Sequence, residues 1–270
     1  MMTNLLNGFL ERITSRRLNV LSVRVLQRGR LLDACDLGGD VRRQQHSVSK
    51  SFTCMAVGLA IREGKLSLDT RIRDLFPEHA KEVHGSAYPP GELALPLDRP
   101  PGEKFTYSSG DTFIISAMVQ AAVGQTVLEY LTPRLFEPLG IDRAEWDTSP
   151  LGVTLGCAGL RISNAELARF GQLLLQKGKW QEQQLVPAEW IEFATRKHIE
   201  TDGSSEDWGK GYGFQFWMCS HGAYRADGMK GQFCVIVPEK AAVIAINSDE
   251  DDMQGILDAV WSDLLPQLFR

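Results

Sequence analysis

The 270-residue sequence predicts an α+β fold, an α/β sandwich in which an antiparallel sheet of about five strands is flanked by helices. Strand-like runs occur near both chain ends, whereas the middle of the chain has the apolar spacing of helices. The simplest architecture joins the two ends in one sheet and inserts a helical subdomain between them. We therefore expect a single domain, 1–270, with a sheet subdomain of 1–45 plus 205–270 and a helical subdomain of 46–204.

The predicted strands are rich in β-branched and aromatic residues and are bounded by turn residues. They cover residues 20–27, 31–37, 212–218, 232–237 and 241–246. Arg28-Gly29-Arg30 and Pro238-Glu239-Lys240 supply two of the turns between them. These segments give the sheet its two halves.

The predicted helices cover residues 49–63, 112–123, 164–176 and 252–269. The first is apolar all round, which indicates a central buried helix. Asp111 stands where the second helix would have its N-cap. The stretch 86–102 is rich in proline and glycine and is predicted to be a long loop, which is often a functional element.

Composition narrows the functional classes. The net charge of −5 argues against a nucleic-acid partner or an anionic membrane surface. No apolar run approaches the length of a membrane span. The five cysteines are widely spaced without a Cys-x-x-Cys pair, which is typical of a reduced compartment, and the five histidines lack metal-ligand spacing. We expect a cytoplasmic protein with no metal and no cofactor.

One tetrad at the start of the central helix indicates chemistry, Ser47-Val48-Ser49-Lys50. Residues at i and i+3 share a helix face, so the hydroxyl of Ser47 and the amine of Lys50 are expected to touch. A serine becomes a good nucleophile when a neighbouring base takes its proton. Serine is also a common N-cap, so this tetrad alone leaves a structural and a catalytic interpretation open.

Two further motifs follow in order along the chain. Tyr107-Ser108-Ser109-Gly110-Asp111 precedes the second predicted helix, and Ala226-Asp227-Gly228-Met229-Lys230-Gly231-Gln232 precedes a Val/Ile hairpin. With the tetrad, they resemble the serine β-lactamase and penicillin-binding-protein superfamily over most of the chain. The closest resemblance is to its class C-like branch, which includes esterases, D-amino-peptidases and aminohexanoate-oligomer hydrolases.

The resemblance implies roles for three catalytic residues and an oxyanion hole. Ser47 is the expected nucleophile, and Lys50 the base, with its pKa lowered by burial and by the positive end of a helix. Tyr107 is the expected second proton-transfer group, with a pKa lowered by the nearby lysine. The backbone N–H groups of Ser47 and Met229 are the expected oxyanion-hole donors.

Two departures from the family pattern concern substrate binding. Ser109 stands where the family's Tyr-x-Asn motif has asparagine, which puts efficient β-lactam hydrolysis in doubt. Gly228-Met229-Lys230-Gly231 aligns with the usual Lys-Thr-Gly or His-x-Gly, so the side chain that reads a substrate carboxylate is missing at its first place. Lys230 would restore a positive charge there or point to solvent. Ser109 and residues 228–231 are the predicted substrate-binding residues.

The sequence therefore predicts a serine hydrolase that forms an acyl-enzyme and acts on a small ester, amide or peptide-like molecule. D,D-peptidase or β-lactamase activity is the alternative within the enzyme class. A catalytically weak homologue that binds an acyl-type ligand is the alternative outside it, and the altered third motif motivates it. The oligomeric state is left open.

Overall fold

The computed structural model describes residues 5–77, 104–201 and 206–269. The predicted loop at 86–102 lies outside the described residues.

The main sheet has six antiparallel strands in the order β2-β1-β11-β10-β9-β8. They are β1 (Val20–Gln27), β2 (Arg30–Asp36), β8 (Trp217–Met218), β9 (Tyr224–Gly228), β10 (Gln232–Val237) and β11 (Ala242–Ser248). β1 pairs directly with β11, so the first and last strands of the chain are neighbours at the centre of the sheet. The predicted α+β class and the sheet made from both chain ends are confirmed, with six strands in place of about five.

Short strands and the helices complete the described structure. The short strands are β3 (Arg43–Gln44), β4 (Glu145–Trp146), β5 (Leu160–Ile162), β6 (Lys179–Trp180) and β7 (Gln183–Gln184). The helices are α1 (Asn7–Ser15), α2 (Ser49–Arg62), α3 (Ile72–Leu75), α4 (Ser109–Val123), α5 (Val127–Leu131), α6 (Asn164–Leu175), α7 (Ala188–Thr195) and α8 (Met253–Ala259).

Alternation along the central strands divides the core into two clusters. On β11, Val243 and Ala245 face a cluster that contains α2 and α6, whereas Ile244 and Ile246 face one that contains α1 and α8. Successive side chains of a strand point to opposite faces, so each face of the sheet carries its own helical layer. The predicted division into a sheet subdomain and a helical subdomain stays a prediction. The first cluster contains residues of both predicted subdomains.

Three sequence predictions are wrong in detail. The strand expected at 212–218 is reduced to Trp217–Met218, because Gln215 has a left-handed backbone (φ 67°) that a strand cannot contain. The helix expected at 252–269 ends its α-helical part at Ala259 and continues in π and 3-10 turns, the last of which contains Pro266.

The third difference concerns the start of α4. Its N-cap is Ser108, whose Oγ accepts a hydrogen bond from the Asp111 N–H at 3.1 Å. Asp111 therefore lies within the first turn, and the helix begins three residues earlier than predicted. This earlier start puts Ser109 in the first helical position of α4, where its Oγ lies 3.1 Å from Lys50 Nζ.

No single helix of the described ranges is long and apolar enough to cross a membrane. Among the described helices, only α4 together with Val127–Phe136, across a 67° bend, reaches that length and apolarity. Nor does the described part of the chain hold three His, Cys, Asp or Glu side chains grouped to bind a metal ion.

Gly171 lets α6 pack directly on the sheet. A Cβ atom at this position would lie 2.4 Å from Val243 Cγ1 and 2.6 Å from Cys234 Sγ. Real Cβ atoms do not approach other atoms so closely, so a larger residue must move the helix or the strands. Gly8 offers a contrast, since a Cβ atom there would meet Asp263 only at 3.6 Å.

We predict that Gly171→Ala lowers the free energy of unfolding by about 1–3 kcal/mol through overpacking. The matched variant Gly8→Ala, also in a helix, should be neutral or stabilising by up to about 1 kcal/mol, because alanine loses less backbone entropy than glycine. Urea unfolding followed by circular dichroism measures both. Equal effects of the two substitutions would contradict the direct packing of α6 on the sheet.

Candidate active site

Ser47 lies in a 3-10 turn, His46–Val48, that runs straight into the buried helix α2. The turn begins with a left-handed residue, His46 (φ 47°), and the Val48 N–H closes it on the Gln45 carbonyl at 3.0 Å. Burial lowers the pKa of the His46 imidazole. The side chain of Ser47 is half-buried, so it is held at the start of α2 and still reached from outside.

Lys50 is buried in contact with three oxygen atoms. The residue is only 1% exposed. The Nζ lies 3.0 Å from Ser47 Oγ, 3.1 Å from Ser109 Oγ and 2.9 Å from the Cys157 carbonyl oxygen. Burial lowers the pKa of the Lys50 amine, because a charged ammonium loses its hydration there.

The three contacts of Lys50 suit a neutral amine as well as an ammonium. The Cys157 carbonyl can only accept a hydrogen bond, whereas the two serine hydroxyls can donate or accept. A neutral amine would donate its two N–H bonds to the Cys157 carbonyl and Ser109 Oγ and accept the Ser47 proton with its lone pair. The geometry therefore provides a base for Ser47 without any rearrangement.

Tyr107 stands on the other side of Ser47 within a group of aromatic rings. Its ring stacks on Trp217 at a centroid distance of 5.5 Å and meets Tyr212 edge-on at 6.0 Å. Lys50 Nζ lies 5.0 Å from the Tyr107 ring centroid, and the Ser47 side chain is close enough to the phenol to act on its pKa. The structure thus brings the three predicted catalytic residues together.

The predicted direction of the Tyr107 pKa is wrong. Tyr107 is 39% exposed, and the desolvation of its partly buried phenol raises the pKa to about 12, although the nearby Ser47 side chain acts in the opposite direction. The prediction rested on a cationic lysine nearby, but burial also lowers the pKa of Lys50 and so weakens that stabilisation. Tyr107 is therefore a protonated hydroxyl donor at neutral pH.

Ser109 contacts Lys50 in this structure. Its Oγ is the second hydroxyl bonded to Lys50 Nζ, at 3.1 Å. The sequence placed Ser109 among the substrate-binding residues, and that role stays a prediction. The Cys157 carbonyl, which completes the surroundings of Lys50, carries no side-chain signal and sequence reasoning missed it.

The third motif lies beside the Ser47 turn and precedes the β10–β11 hairpin. Gly228 ends β9, and residues 229–231 form the turn to β10. A Cβ atom at Gly228 would lie 2.3 Å from the Gln45 carbonyl oxygen, so only glycine allows β9 this close to the chain that leads to Ser47. Met229 follows directly, with a side chain 59% exposed.

Lys230 forms an ion pair at the protein surface, where the side chain of its partner Asp251 is 85% exposed. Its Nζ lies 2.6 Å from Asp251 Oδ1, and this ion pair raises the pKa of the ammonium. Its left-handed backbone (φ 65°) directs the residue through the turn. Gly231 also has a left-handed backbone, and a Cβ atom there would collide with Ser248 Oγ at 2.2 Å.

A buried ion pair on β9 lies behind the aromatic rings. Arg225 is fully buried, its Nε donates to Asp227 Oδ2 at 2.7 Å, and its guanidinium stacks over Trp208 at 4.5 Å. Burial raises the pKa of the Asp227 carboxyl, while the adjacent guanidinium acts in the opposite direction. Sequence reasoning missed this pair, which has only the two-residue spacing of one strand face as its signal.

Sequence comparison identifies the family. The sequence profile of the Beta-lactamase family matches residues 12–261 of this chain. No sequence among curated proteins matches the chain significantly.

Structure comparison finds the same fold in several solved structures. A putative 6-aminohexanoate-dimer hydrolase from Bacillus anthracis has a TM-score of 0.76 at 20% identity, over 94% of this chain and 79% of that one. A putative beta-lactamase from Bacteroides dorei DSM 17855 has a TM-score of 0.78 at 14% identity, over 96% and 98%. The octameric penicillin-binding protein homologue from Pyrococcus abyssi has a TM-score of 0.68 at 17% identity, over 96% and 76%.

Because these sequence identities are low, the solved structures support the fold of this chain and not its activity. The family profile covers nearly the whole chain, including the tetrad, the Tyr107 motif and the third motif. The protein belongs to the Beta-lactamase family of serine hydrolases.

Proposed function

We propose that this protein hydrolyses small esters or amides through an acyl-enzyme on Ser47. One observation carries the proposal. The amine of Lys50, which burial makes easier to deprotonate, lies 3.0 Å from Ser47 Oγ and has acceptors for its remaining N–H bonds. A serine with an adjacent base is the arrangement needed for nucleophilic catalysis.

In the first half-reaction, Ser47 Oγ adds to the substrate carbonyl carbon while its proton passes to Lys50 Nζ. The carbonyl oxygen becomes an oxyanion, which the N–H groups of Ser47 and Met229 would stabilise. When the tetrahedral intermediate collapses, the alcohol or amine leaves with a proton from Lys50 or through the Tyr107 hydroxyl. The product is an ester between the acyl group and Ser47.

In the second half-reaction, water adds to the acyl-enzyme carbonyl and gives a proton to the same groups. The second tetrahedral intermediate releases the carboxylic acid, and Ser47 Oγ recovers its proton. Tyr107, with a pKa of about 12, donates its hydroxyl hydrogen bond throughout and relays protons without a stable phenolate. No cofactor takes part in this scheme.

The third motif supports an ester or amide substrate over a carboxylate-bearing one. At the motif, Ala226 and Gly228 carry no charge, and the Lys230 ammonium is paired with Asp251. An anionic group of a β-lactam or a peptide terminus would gain little there. The aromatic rings of Tyr107, Tyr212 and Trp217 instead favour an uncharged, apolar substituent.

A substrate panel with a matched serine variant tests the proposal. We expect hydrolysis of short p-nitrophenyl esters, weaker hydrolysis of D-amino-acid amides and little turnover of nitrocefin. A fluorophosphonate probe should label Ser47, and Ser47→Ala should abolish both labelling and turnover. Ser51→Ala is the control, because this buried serine of α2 bonds the Gln215 carbonyl at 2.7 Å and has no lysine contact.

Other outcomes of the panel would point elsewhere. Preferential turnover of nitrocefin or of D-alanyl peptides would favour β-lactamase or D,D-peptidase activity. A folded protein that binds the esters without turnover or labelling would be a ligand-binding homologue. Ester turnover that survives Ser47→Ala would contradict the acyl-enzyme on Ser47.

The pH dependence should report on Lys50. Catalysis needs the neutral amine, so kcat/KM for an ester should rise with pH as the ammonium loses its proton. Because burial lowers the pKa of Lys50 below its ordinary value of 10.5, the midpoint should lie below 10.5. Lys50→Arg should abolish turnover, since a guanidinium stays charged. A rate that is flat with pH, or retained in Lys50→Arg, would exclude Lys50 as the base.

Two tyrosine variants should separate proton transfer from packing. Tyr107→Phe keeps the ring on Trp217 but removes the hydroxyl at Ser47, and kcat should fall on the order of 10²-fold. Tyr212→Phe removes a hydroxyl that bonds Gln215 Oε1 at 3.3 Å, and kcat should change little. Steady-state kinetics on one p-nitrophenyl ester measures both. A wild-type kcat in Tyr107→Phe would mean that Tyr107 acts through packing alone.

A further inference from the structure

Three buried amide side chains lie behind the predicted oxyanion hole. They are Gln45, Gln232 and Asn247, each at most 3% exposed. Asn247 Nδ2 donates to Gln45 Oε1 at 3.2 Å and to Gln232 Oε1 at 2.7 Å. Asn247 thus joins two glutamines that lie 187 positions apart in the sequence (232 minus 45) and belong to different segments of the site.

Gln45 belongs to the Ser47 side of this chain of hydrogen bonds. Its Nε2 donates to the carbonyls of Arg43 and Ile162 at 3.1 and 3.0 Å. The backbone carbonyl of Gln45 accepts the Val48 N–H and closes the turn that contains Ser47. A shift of Gln45 therefore shifts the Ser47 N–H with it.

Gln232 belongs to the Met229 side. Its Nε2 donates to the Ser248 carbonyl at 2.5 Å and to the Lys230 carbonyl at 3.3 Å. Ser248 Oγ holds the same turn through the carbonyls of Lys230 and Gly231, at 2.6 and 2.8 Å. The turn that presents the Met229 N–H is therefore fixed from beneath by Gln232 and Ser248.

The orientation of the three amides follows from their backbone partners. Each glutamine Nε2 faces carbonyl oxygens, which accept hydrogen bonds and cannot donate them. Both Oε1 atoms consequently face Asn247, and only the Nδ2 group of Asn247 can satisfy both. An aspartate of the same shape would place a carboxylate oxygen against two amide oxygens.

We propose that Asn247 is a positioning residue that fixes the distance between the two oxyanion-hole donors, the N–H groups of Ser47 and Met229. The inference rests on the proposed function. It adds that the hole is preorganised by one asparagine which does not itself face the substrate, through Gln45 on one side and Gln232 on the other. Donors fixed before the reaction stabilise the oxyanion without reorganisation.

The contact between Gly228 and Gln45 supports this arrangement independently. The strand end and the Ser47 segment already touch, since a Cβ atom at Gly228 would lie 2.3 Å from the Gln45 carbonyl. Two segments in such contact can still slide or tilt against each other. Asn247 bonds both from the buried side and so restrains that motion.

The test compares Asn247→Asp with Asn164→Asp. Asn164 is also a buried asparagine, but its Oδ1 accepts from Arg24 at 3.1 Å and it lies at the start of α6. In Asn247→Asp, we expect kcat for a p-nitrophenyl ester to fall on the order of ten- to a hundredfold, with KM nearly unchanged. Asn164→Asp should keep wild-type kcat. Assays are run well below the melting temperature measured for each variant.

A transition-state mimic supplies the readout that a purely structural role would not move. Ser47 Oγ adds to the carbonyl of a trifluoromethyl ketone, its proton passes to Lys50, and the ketone oxygen becomes a bound oxyanion. The affinity for this inhibitor should fall in Asn247→Asp in parallel with kcat/KM. Wild-type kcat and wild-type inhibitor affinity in the folded variant would overturn the proposal, as would a loss that only follows the folded fraction.

If Asn247→Asp does not fold, Gln232→Glu tests the same link. It keeps the acceptor for Asn247 but removes the donors to the Lys230 and Ser248 carbonyls, and it should lower kcat in the same way.

The outcomes separate this inference from the function on which it rests. If Ser47→Ala retains ester turnover, the proposed function fails. If Ser47→Ala is inactive while Asn247→Asp and Gln232→Glu behave like the wild type, only the positioning role of Asn247 fails.

Discussion

The burial of the Lys50 amine against Ser47 is the constraint on which the site depends. A buried lysine with no acceptors would cost several kcal/mol, and here three oxygen atoms surround the nitrogen. Each of them comes from a different part of the chain: the turn before α2, the first position of α4 and the segment before β5. These three segments therefore have to pack together around the Lys50 nitrogen.

The sheet fixes the other half of the site. Because β1 and β11 pair at its centre, the chain ends form one rigid layer, and β9 reaches the Ser47 turn at its Gly228 end. The amides of Gln45, Gln232 and Asn247 then connect this layer to the turn through buried hydrogen bonds. The Nδ2 group of Asn247 bonds both glutamines, whereas its Oδ1 is buried with no hydrogen-bond partner among the described residues.

The third motif differs from the family pattern in the charge that it offers to a substrate. With Ala226 in the strand and Lys230 paired to Asp251, the motif keeps the backbone close approach but offers no free cation. This is why we propose an uncharged ester or amide, placed beside the rings of Tyr107 and Trp217, as the substrate.

Sequence patterns predicted the elements with strong local signals and missed those that depend on distant contacts. The strand at 20–27 and the one at 232–237 were predicted to the residue, because alternation and flanking turns are local properties. The N-cap at Asp111 was wrong although the true cap, Ser108, accepts from the Asp111 N–H only three residues away. The strand at 212–218 was wrong because the left-handed Gln215 is bonded to Ser51 and Thr112, which are distant in the chain. The same reason hid the Cys157 carbonyl and the Asn247 network.

By itself, the sequence determined the α+β class and the joining of both chain ends in one sheet, and its family resemblance predicted Ser47, Lys50 and Tyr107 as a group. The strands and helices follow from periodicity, whereas the group of three residues follows from motifs that resemble those of the family. Only the tertiary structure decided the direction of the Tyr107 pKa, the pairing of Lys230 and the hydrogen bonds from Asn247 to Gln45 and Gln232. Those properties depend on burial and on hydrogen bonds between segments far apart in the chain, and neither can be read from residue order.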